Sequence, residues 1–182
     1  MLTIKKYSIK KLSYCAIFVA LMTICSWITI PTAVPFTLQT LGVFLTVGLL
    51  GGKLGTISVL VFVLLGAIGI PVFSGFSGGF GVIAGTSGGY IIGFIFSALV
   101  MWLIEYIFGS KLTVFIISMI IGLLVIYTFG TVWFKVVYTR QTGPVGIGAV
   151  LSWCVVPFII PDIAKMVCAT FIIKRLKKHV LI

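Results

Sequence analysis

Charged side chains are scarce in this sequence. Of its 182 residues only 8% are charged, and only two of these, Glu105 and Asp162, are acidic. A soluble domain of ordinary composition carries about 25% charged residues, so this chain cannot cover a water-facing surface. Hydrophobic residues instead make up 61% of the sequence. We therefore predict that most of the protein lies in a lipid bilayer.

Groups suited to catalysis or metal binding are also few. The only histidine is His179, and the four cysteines form no C-x-x-C pair. The stretch Gly51–Leu54 resembles the end of a phosphate-binding loop, but Leu54 stands where that loop needs Ser or Thr. Two carboxylates expected on opposite sides of the membrane cannot form an acid–base pair. We predict no enzyme activity, no metal, no cofactor and no nucleic-acid partner.

The apolar runs are continuous, as in Leu12–Ile30 and Leu112–Phe134. Strands of a membrane barrel alternate polar and apolar residues, so continuous runs favour helices, each needing about 20 residues to cross the bilayer. Leu12–Ile30 follows basic residues but lacks a convincing signal-peptide cleavage site, so we expect it to be retained. The sequence predicts one all-α integral membrane domain over residues 1–182, with six spans at 12–30, 39–51, 54–70, 86–108, 112–134 and 147–173. We expect the last span to be interrupted by Pro157 and Pro161.

Basic residues give the expected orientation. Six spans put both termini on one side, and positive charge collects on the cytoplasmic side. With the termini inside, ten of the thirteen basic residues are cytoplasmic: Lys5, Lys6, Lys10, Lys11, Lys53, Lys111, Lys174, Arg175, Lys177 and Lys178. The other three are Lys135, Arg140 and Lys165. We expect a multi-pass protein of the bacterial plasma membrane.

The predicted external connections are longer than the cytoplasmic ones and rich in Pro, Gly and aromatic residues. They are 31–39, 71–89 and 130–146, whereas the cytoplasmic turns near Lys53 and Gly109 are short. Uncharged connections of this composition are typical of a cap over an outward-facing cavity, and ordinary tight turns are the alternative. At the cytoplasmic end of the fourth span, Glu105 and Lys111 are predicted to form an interfacial pair.

Asp162 and Lys165 are the ionisable residues at membrane depth. They are three residues apart, which puts them on one face of a helix. A charge inside the membrane is costly and usually marks a function. The pair predicts a polar ligand site near Pro161, and a structural ion pair that fixes the last helix is the alternative.

Ala16 and Ala20 are small residues four apart in the first predicted span. Such spacing lets helix backbones approach closely in lipid. The pattern predicts a helix contact, either with another helix of this chain or with a partner.

Four segments, occurring in order, carry a resemblance to a known family. They are Pro35–Thr40, Gly69–Phe73, Gly85–Tyr90 and Pro157–Lys165. Together they resemble the BioY family, the biotin-specific substrate-binding (S) components of energy-coupling factor (ECF) transporters, over about residues 16–174. The chain departs from many relatives in having Ser87 and Pro161 where proline and glycine are common.

The resemblance implies a high-affinity binding protein with six helices, cytoplasmic termini and a vitamin cavity near the external face. It implies that energy comes from a transmembrane coupling subunit and a pair of cytoplasmic ATPases. It also implies that Ala16 and Ala20 form the docking surface for the coupling subunit. A stand-alone carrier driven by an ion gradient is the alternative function, although the sequence shows no internal repeat.

For biotin, the resemblance implies roles for individual side chains. Asp162 can accept hydrogen bonds from the ureido N–H groups, and Lys165 or Gln39 can donate to the ureido carbonyl. The valerate carboxylate can meet hydroxyls of the glycine-rich segment or Lys165. The hydroxyls are those of Thr86 and Ser87, and the side chains expected to cover the apolar rings are Phe73, Tyr90 and Trp133.

Overall fold

Most residues are helical in the computed structural model, which describes residues 9–32 and 34–177. The α-helices of this part of the chain are α1 (Ile9–Trp27), α2 (Gln39–Leu50), α3 (Gly52–Ala67), α4 (Phe80–Ala84), α5 (Gly88–Phe108), α6 (Leu112–Gln141), α7 (Ile147–Cys154) and α8 (Val156–Leu176), and a short 3₁₀ helix covers Ser74–Phe76. Two short strands, β1 (Thr29–Ile30) and β2 (Phe36–Thr37), pair antiparallel. The residues outside the described ranges include Lys5, Lys6, Lys178 and His179, so the predictions about them lie outside the structure.

Four stretches of the described chain are long and apolar enough to cross a membrane. They are Ile9–Trp27, Gly88–Phe108, Leu112–Gln141 and Ile147–Leu176, the last containing both α7 and α8. Helices α2 and α3 are apolar but have only 12 and 16 residues. The prediction of an all-α membrane protein is confirmed at this level.

Helix α2 forms the centre of the bundle. Its residues are buried except Leu41, and it packs against α1, α3, α5 and α8. The long helices turn large apolar side chains outward, among them Leu103 of α5 and Leu124 of α6. An apolar surface of this kind suits contact with acyl chains. The bilayer core contains no water, so apolar side chains have no need to be buried inside the protein there.

The first predicted span ends earlier than expected. It was predicted to reach Ile30, but α1 ends at Trp27 and Thr29–Ile30 forms β1. The two β-branched residues favour an extended backbone. The following turn between Pro31 and Pro35 brings the chain back as β2, so a short hairpin joins α1 to α2.

The connection predicted at residues 130–146 is largely helical, so that prediction was wrong. Helix α6 continues through Gly130 to Gln141, leaving only residues 142–146 to join it to α7. A single glycine costs a helix only about 1 kcal/mol. Here the missing side chain makes room for the ring of Tyr90, because a Cβ on Gly130 would lie 2.1 Å from its Cε1 atom.

The last span is broken, but not at the two prolines. Helical geometry lapses at Val155, whose φ and ψ are −125° and −56°. Pro157 lies in the first turn of α8, where its missing N–H is tolerated, and Pro161 lies inside the helix without ending it. The prediction of interruptions at Pro157 and Pro161 is therefore corrected to one break just before them.

Glu105 does not pair with Lys111, so this prediction was also wrong. Its carboxylate accepts a hydrogen bond from the backbone N–H of Gly52, the first residue of α3. An anion at this position is favoured by the unpaired N–H groups and dipole of the helix start. Glu105 thereby joins the end of α5 to the start of α3.

Candidate functional site

A cavity lies where the β1–β2 hairpin and the connection after α3 meet helices α2, α5, α6 and α8. Its volume is about 60 Å³. Pockets for small organic molecules usually measure about 300–1,000 Å³. A ligand of that kind can enter only if part of the wall moves.

The charged residues of the wall are Asp162 and Lys165 on α8. Their side chains form an ion pair with 2.8 Å between Nζ and Oδ1, and the residues are only 3% and 6% exposed. The spacing of three places both on the inner face of the helix. A buried ion pair costs more desolvation energy than its attraction repays unless its remaining polar groups are also satisfied.

Tyr127 of α6 supplies a second partner for the carboxylate. Its hydroxyl donates a hydrogen bond of 2.6 Å to Oδ2 of Asp162. Tyr127 was not among the predicted ligand residues. A signal was present, because a tyrosine inside an otherwise apolar span needs a partner for its hydroxyl.

Aromatic rings surround this polar centre. The ammonium group of Lys165 lies 4.5 Å from the ring centroid of Phe36, within the range of a cation–π interaction. Phe36 in turn stacks on Phe158, with 5.8 Å between the ring centroids. On the other walls, Phe73 and Tyr90 are buried. The cavity therefore combines apolar faces with a compact polar centre.

Gln39, the first residue of α2, contributes a donor without a partner. The residue is 5% exposed and lines the cavity, yet none of the described residues accepts a hydrogen bond from its side-chain Nε2. Leaving a buried donor unpaired costs about 1–3 kcal/mol. A ligand with an acceptor at this point would remove that cost.

The structure gathers most of the predicted ligand residues around the cavity. Six of the eight line it: Asp162, Lys165, Tyr90, Gln39, Phe73 and Ser87. The other two, Thr86 and Trp133, are not among its lining residues. The indole N–H of Trp133 instead donates to the carbonyl of Gly85, at 2.9 Å, and holds the segment that precedes α5.

Ala16 and Ala20 lie on a different surface. Both are exposed on α1, and they line an apolar groove of about 790 Å³ between α1 and α3. The described chain therefore does not use this pair for packing within the bundle. We call this surface the α1–α3 groove. Its other lining residues include Trp27, Leu54, Ile57 and Val72.

Known proteins resemble this chain over nearly its whole length. Residues 3–181 match the model of the BioY family. A biotin transporter BioY of Thermotoga maritima is 41% identical over 93% of this chain and 96% of that protein. A probable biotin transporter BioY of Pyrococcus horikoshii is 40% identical over 92% of this chain and 96% of its own length.

A solved structure resembles the fold as well. It is a crystal structure of the S-component for biotin from an ECF-type ABC transporter. The TM-score is 0.82 at 29% sequence identity, and the match covers 98% of this chain and 95% of that one.

Proposed function

Because the chain belongs to the BioY family, we propose that it is the biotin-binding S component of an ECF-type uptake transporter in the cell membrane. It captures biotin outside and delivers it with an ATPase-driven coupling module. The relatives are transporters, and this chain is a transport protein and not an enzyme. The observation that carries the proposal is the buried Asp162–Lys165–Tyr127 group in a cavity wall.

The donors and acceptors of the cavity suit the ureido ring of biotin. That ring offers two N–H donors and one carbonyl acceptor. The carboxylate of Asp162 has lone pairs left beyond those used by Tyr127 and Lys165. The unpartnered Nε2 of Gln39 can donate to the ureido carbonyl. Phe73 and the other aromatic residues can cover the apolar ring system.

The valerate carboxylate of biotin adds a negative charge to a site whose own two charges cancel. Lys165 has N–H groups beyond the one that bonds Asp162. It can therefore meet the valerate carboxylate while remaining bonded to Asp162. Ser87 is the other predicted carboxylate partner that lines the cavity, whereas Thr86 does not line it.

For the topology, we propose six membrane segments formed by α1, α2, α3, α5, α6 and the α7–α8 pair, with cytoplasmic termini and an external cavity. The turns at opposite ends of the bundle support this arrangement. The end of α1 contacts the segment after α3, since the Trp27 indole donates to the Pro71 carbonyl. At the other end, the Nζ atom of Lys177 lies 3.4 Å from the Ser110 carbonyl.

Helix α6 agrees with the same topology. Its 30 residues span about 45 Å, some 15 Å more than the hydrocarbon core of a bilayer. Lys135 and Arg140 lie in its last turns. In this topology they lie near or beyond the external interface, where long basic side chains can reach water.

For the partners, we propose that the α1–α3 groove receives the transmembrane coupling subunit, which works with a pair of cytoplasmic ATPases. The groove is apolar, and two exposed alanines let a partner helix approach closely.

The test of the proposed function is binding of radiolabelled biotin to the purified protein in detergent or nanodiscs. We expect saturable binding that unlabelled biotin displaces. A biotin analogue without the ureido ring should compete poorly, because it leaves the polar centre unpaired. Absence of saturable binding by folded protein would refute the proposal.

A transport assay separates the S component from a stand-alone carrier. Liposomes containing this chain alone should not accumulate biotin when an ion gradient is applied. Addition of the coupling subunit and ATPases, with ATP, should start uptake. Uptake by the chain alone that follows the gradient would support the alternative function.

Replacement of Gln39 with leucine should weaken biotin binding without lowering stability. The substitution removes a buried donor that lacks a protein partner, so we expect an unchanged or higher melting temperature. Biotin loses a hydrogen bond, so we expect an approximately tenfold weaker Kd, or about 1.4 kcal/mol. Thermal unfolding and biotin titration of the same sample measure both effects.

The matched control is Thr46→Val, a buried change in the same helix at a hydroxyl that bonds only the Gly42 carbonyl. It should leave the Kd unchanged. Parallel loss of stability and affinity in Gln39→Leu would mean that Gln39 supports the fold and does not contact the ligand.

A further inference from the structure

The segment Pro71–Ser77, here called the 71–77 segment, is fastened to the end of α1 by side chains of two adjacent residues. The hydroxyl of Ser26 donates to the carbonyl of Val72 and shares its hydrogen with the Thr23 carbonyl of its own helix, at 2.7 Å. The indole N–H of Trp27 donates to the carbonyl of Pro71 at 2.9 Å. The Trp27 ring also lies 4.8 Å, centroid to centroid, from the ring of Phe76.

The same segment forms part of the cavity wall. Phe73 and Ser74 line the cavity, and Phe73 is 1% exposed. The Phe73 ring fits against Gly66 of α3, where a Cβ atom would lie 2.0 Å from its Cζ atom. The segment therefore rests on α3, is bonded to α1 and closes one side of the cavity.

Few other hydrogen bonds hold the segment in its shape. The backbone N–H of Phe73 donates to the Ser77 carbonyl at 3.0 Å, and the Ser77 hydroxyl donates to the Ser74 carbonyl. Both bonds lie within the segment and can move with it. A third, from the Val72 N–H to the Ile70 carbonyl at 2.8 Å, joins the segment only to the residue directly before it. Phe76 has a positive φ of 55°, which is unfavourable for a bulky residue and is maintained only by surrounding contacts.

We infer that Ser26 and Trp27 are positioning residues that latch the 71–77 segment over the ligand, so that release of this latch admits and frees biotin. The inference rests on the proposed function. A cavity of about 60 Å³ cannot receive biotin without movement of its wall, since ligand pockets are several times larger. The 71–77 segment carries wall residues, and within residues 9–32 and 34–177 the side chains of Ser26 and Trp27 are what bond it to α1.

The latch also touches the proposed docking surface. Trp27 and Val72 line the α1–α3 groove together with Ala16 and Ala20. A coupling subunit seated in the groove would contact two members of the latch directly. Docking and ligand release would then be linked through the end of α1 without any change in the Asp162 region.

The test is the rate of biotin exchange in the variants Trp27→Phe, Ser26→Ala and their combination. Phenylalanine keeps a ring against Phe76 but removes the N–H group, and alanine removes only the hydroxyl. Because the latch bonds do not contact the ligand, their loss should raise the open population before and after binding. We expect both the association and dissociation rate constants to rise about tenfold in the double variant, with the Kd changed less than threefold.

The control is Ser58→Ala, at an equally buried serine whose hydroxyl donates within its own helix to the Leu54 carbonyl. It should leave both rates unchanged. Faster dissociation with unchanged association would mean that the two residues merely shape the site, and unchanged rates would also overturn the latch. If the double variant fails to fold, Trp27→Phe alone decides between these outcomes.

Hydrogen exchange of the ligand-free protein tests the latch separately from biotin binding. The N–H of Phe73 and that of Gly79, which donates to the Gly66 carbonyl, should exchange faster in the latch variants than in the wild type. The N–H groups of α6 should keep their protection. If the wild type fails to bind biotin, the proposed function fails, while this experiment still supports or refutes the latch.

Discussion

Replacement of Asp162 with asparagine is expected to weaken biotin binding at least tenfold, equivalent to about 1.4 kcal/mol. The carboxylate accepts hydrogen bonds from Lys165 at Oδ1 and from Tyr127 at Oδ2. The carbonyl oxygen of asparagine can accept a hydrogen bond from one of these donors, but its NH₂ group then faces the other donor and cannot accept from it. The change also leaves the Lys165 ammonium buried without a counter-charge, which is more costly than the absence of the whole pair.

The comparison needs two further variants. Glu105→Gln alters the only other acidic residue in the sequence, which lies away from the cavity beside Gly52, and it should leave the biotin Kd unchanged. Tyr127→Phe removes one donor and keeps the charge pair, so its loss of affinity should be smaller than that of Asp162→Asn. Isothermal titration, together with the melting temperature of each variant, measures these effects. Wild-type affinity in folded Asp162→Asn protein would remove this carboxylate from the binding site.

Tryptophan at Ala16 and Ala20 together is expected to reduce ATP-driven biotin uptake by more than tenfold and to leave biotin binding unchanged. Both alanines are exposed in the α1–α3 groove, away from the residues that line the cavity. Two indole rings would fill the surface that a partner helix must approach, and small residues are what let helix backbones pack closely in lipid. Uptake by liposomes containing the complete transporter, and biotin binding to the isolated chain, provide the two measurements.

Ala164→Trp is the matched control, because Ala164 is an exposed alanine on another membrane helix, α8. Its uptake should equal that of the wild type. Co-purification with the coupling subunit should fall in the Ala16/Ala20 variant in parallel with uptake. Normal transport by that variant would exclude the groove as the docking surface.

The sequence alone was sufficient to predict that Asp162 and Lys165 lie side by side, because residues three apart on one helix share a face. The position of this ion pair in a cavity wall depends on segments that are distant in the sequence. The family resemblance indicated those segments, but not their geometry. Tyr127 was missed because its partner is 35 positions away along the chain. No local pattern specifies that the hydroxyl of α6 faces the carboxylate of α8.

The errors in the helix boundaries have a related cause. Gly130 suggested a connection when considered alone, yet its missing side chain provides space for Tyr90 of another helix. Pro157 and Pro161 indicated a break in the last span, but the position of the break depends on the surrounding contacts. In both regions the residue type was informative, and tertiary packing determined its effect.

The shortness of α2 has a consequence for how the protein is made. Its 12 residues reach only about 18 Å, too little to hold a bilayer-crossing position alone. Its neighbours include α5 and α8, which leave the ribosome later. The first three helices therefore cannot settle into their final arrangement as they are synthesised. The bundle can close around α2 only after α8 has been inserted, so we expect the binding site to be assembled late.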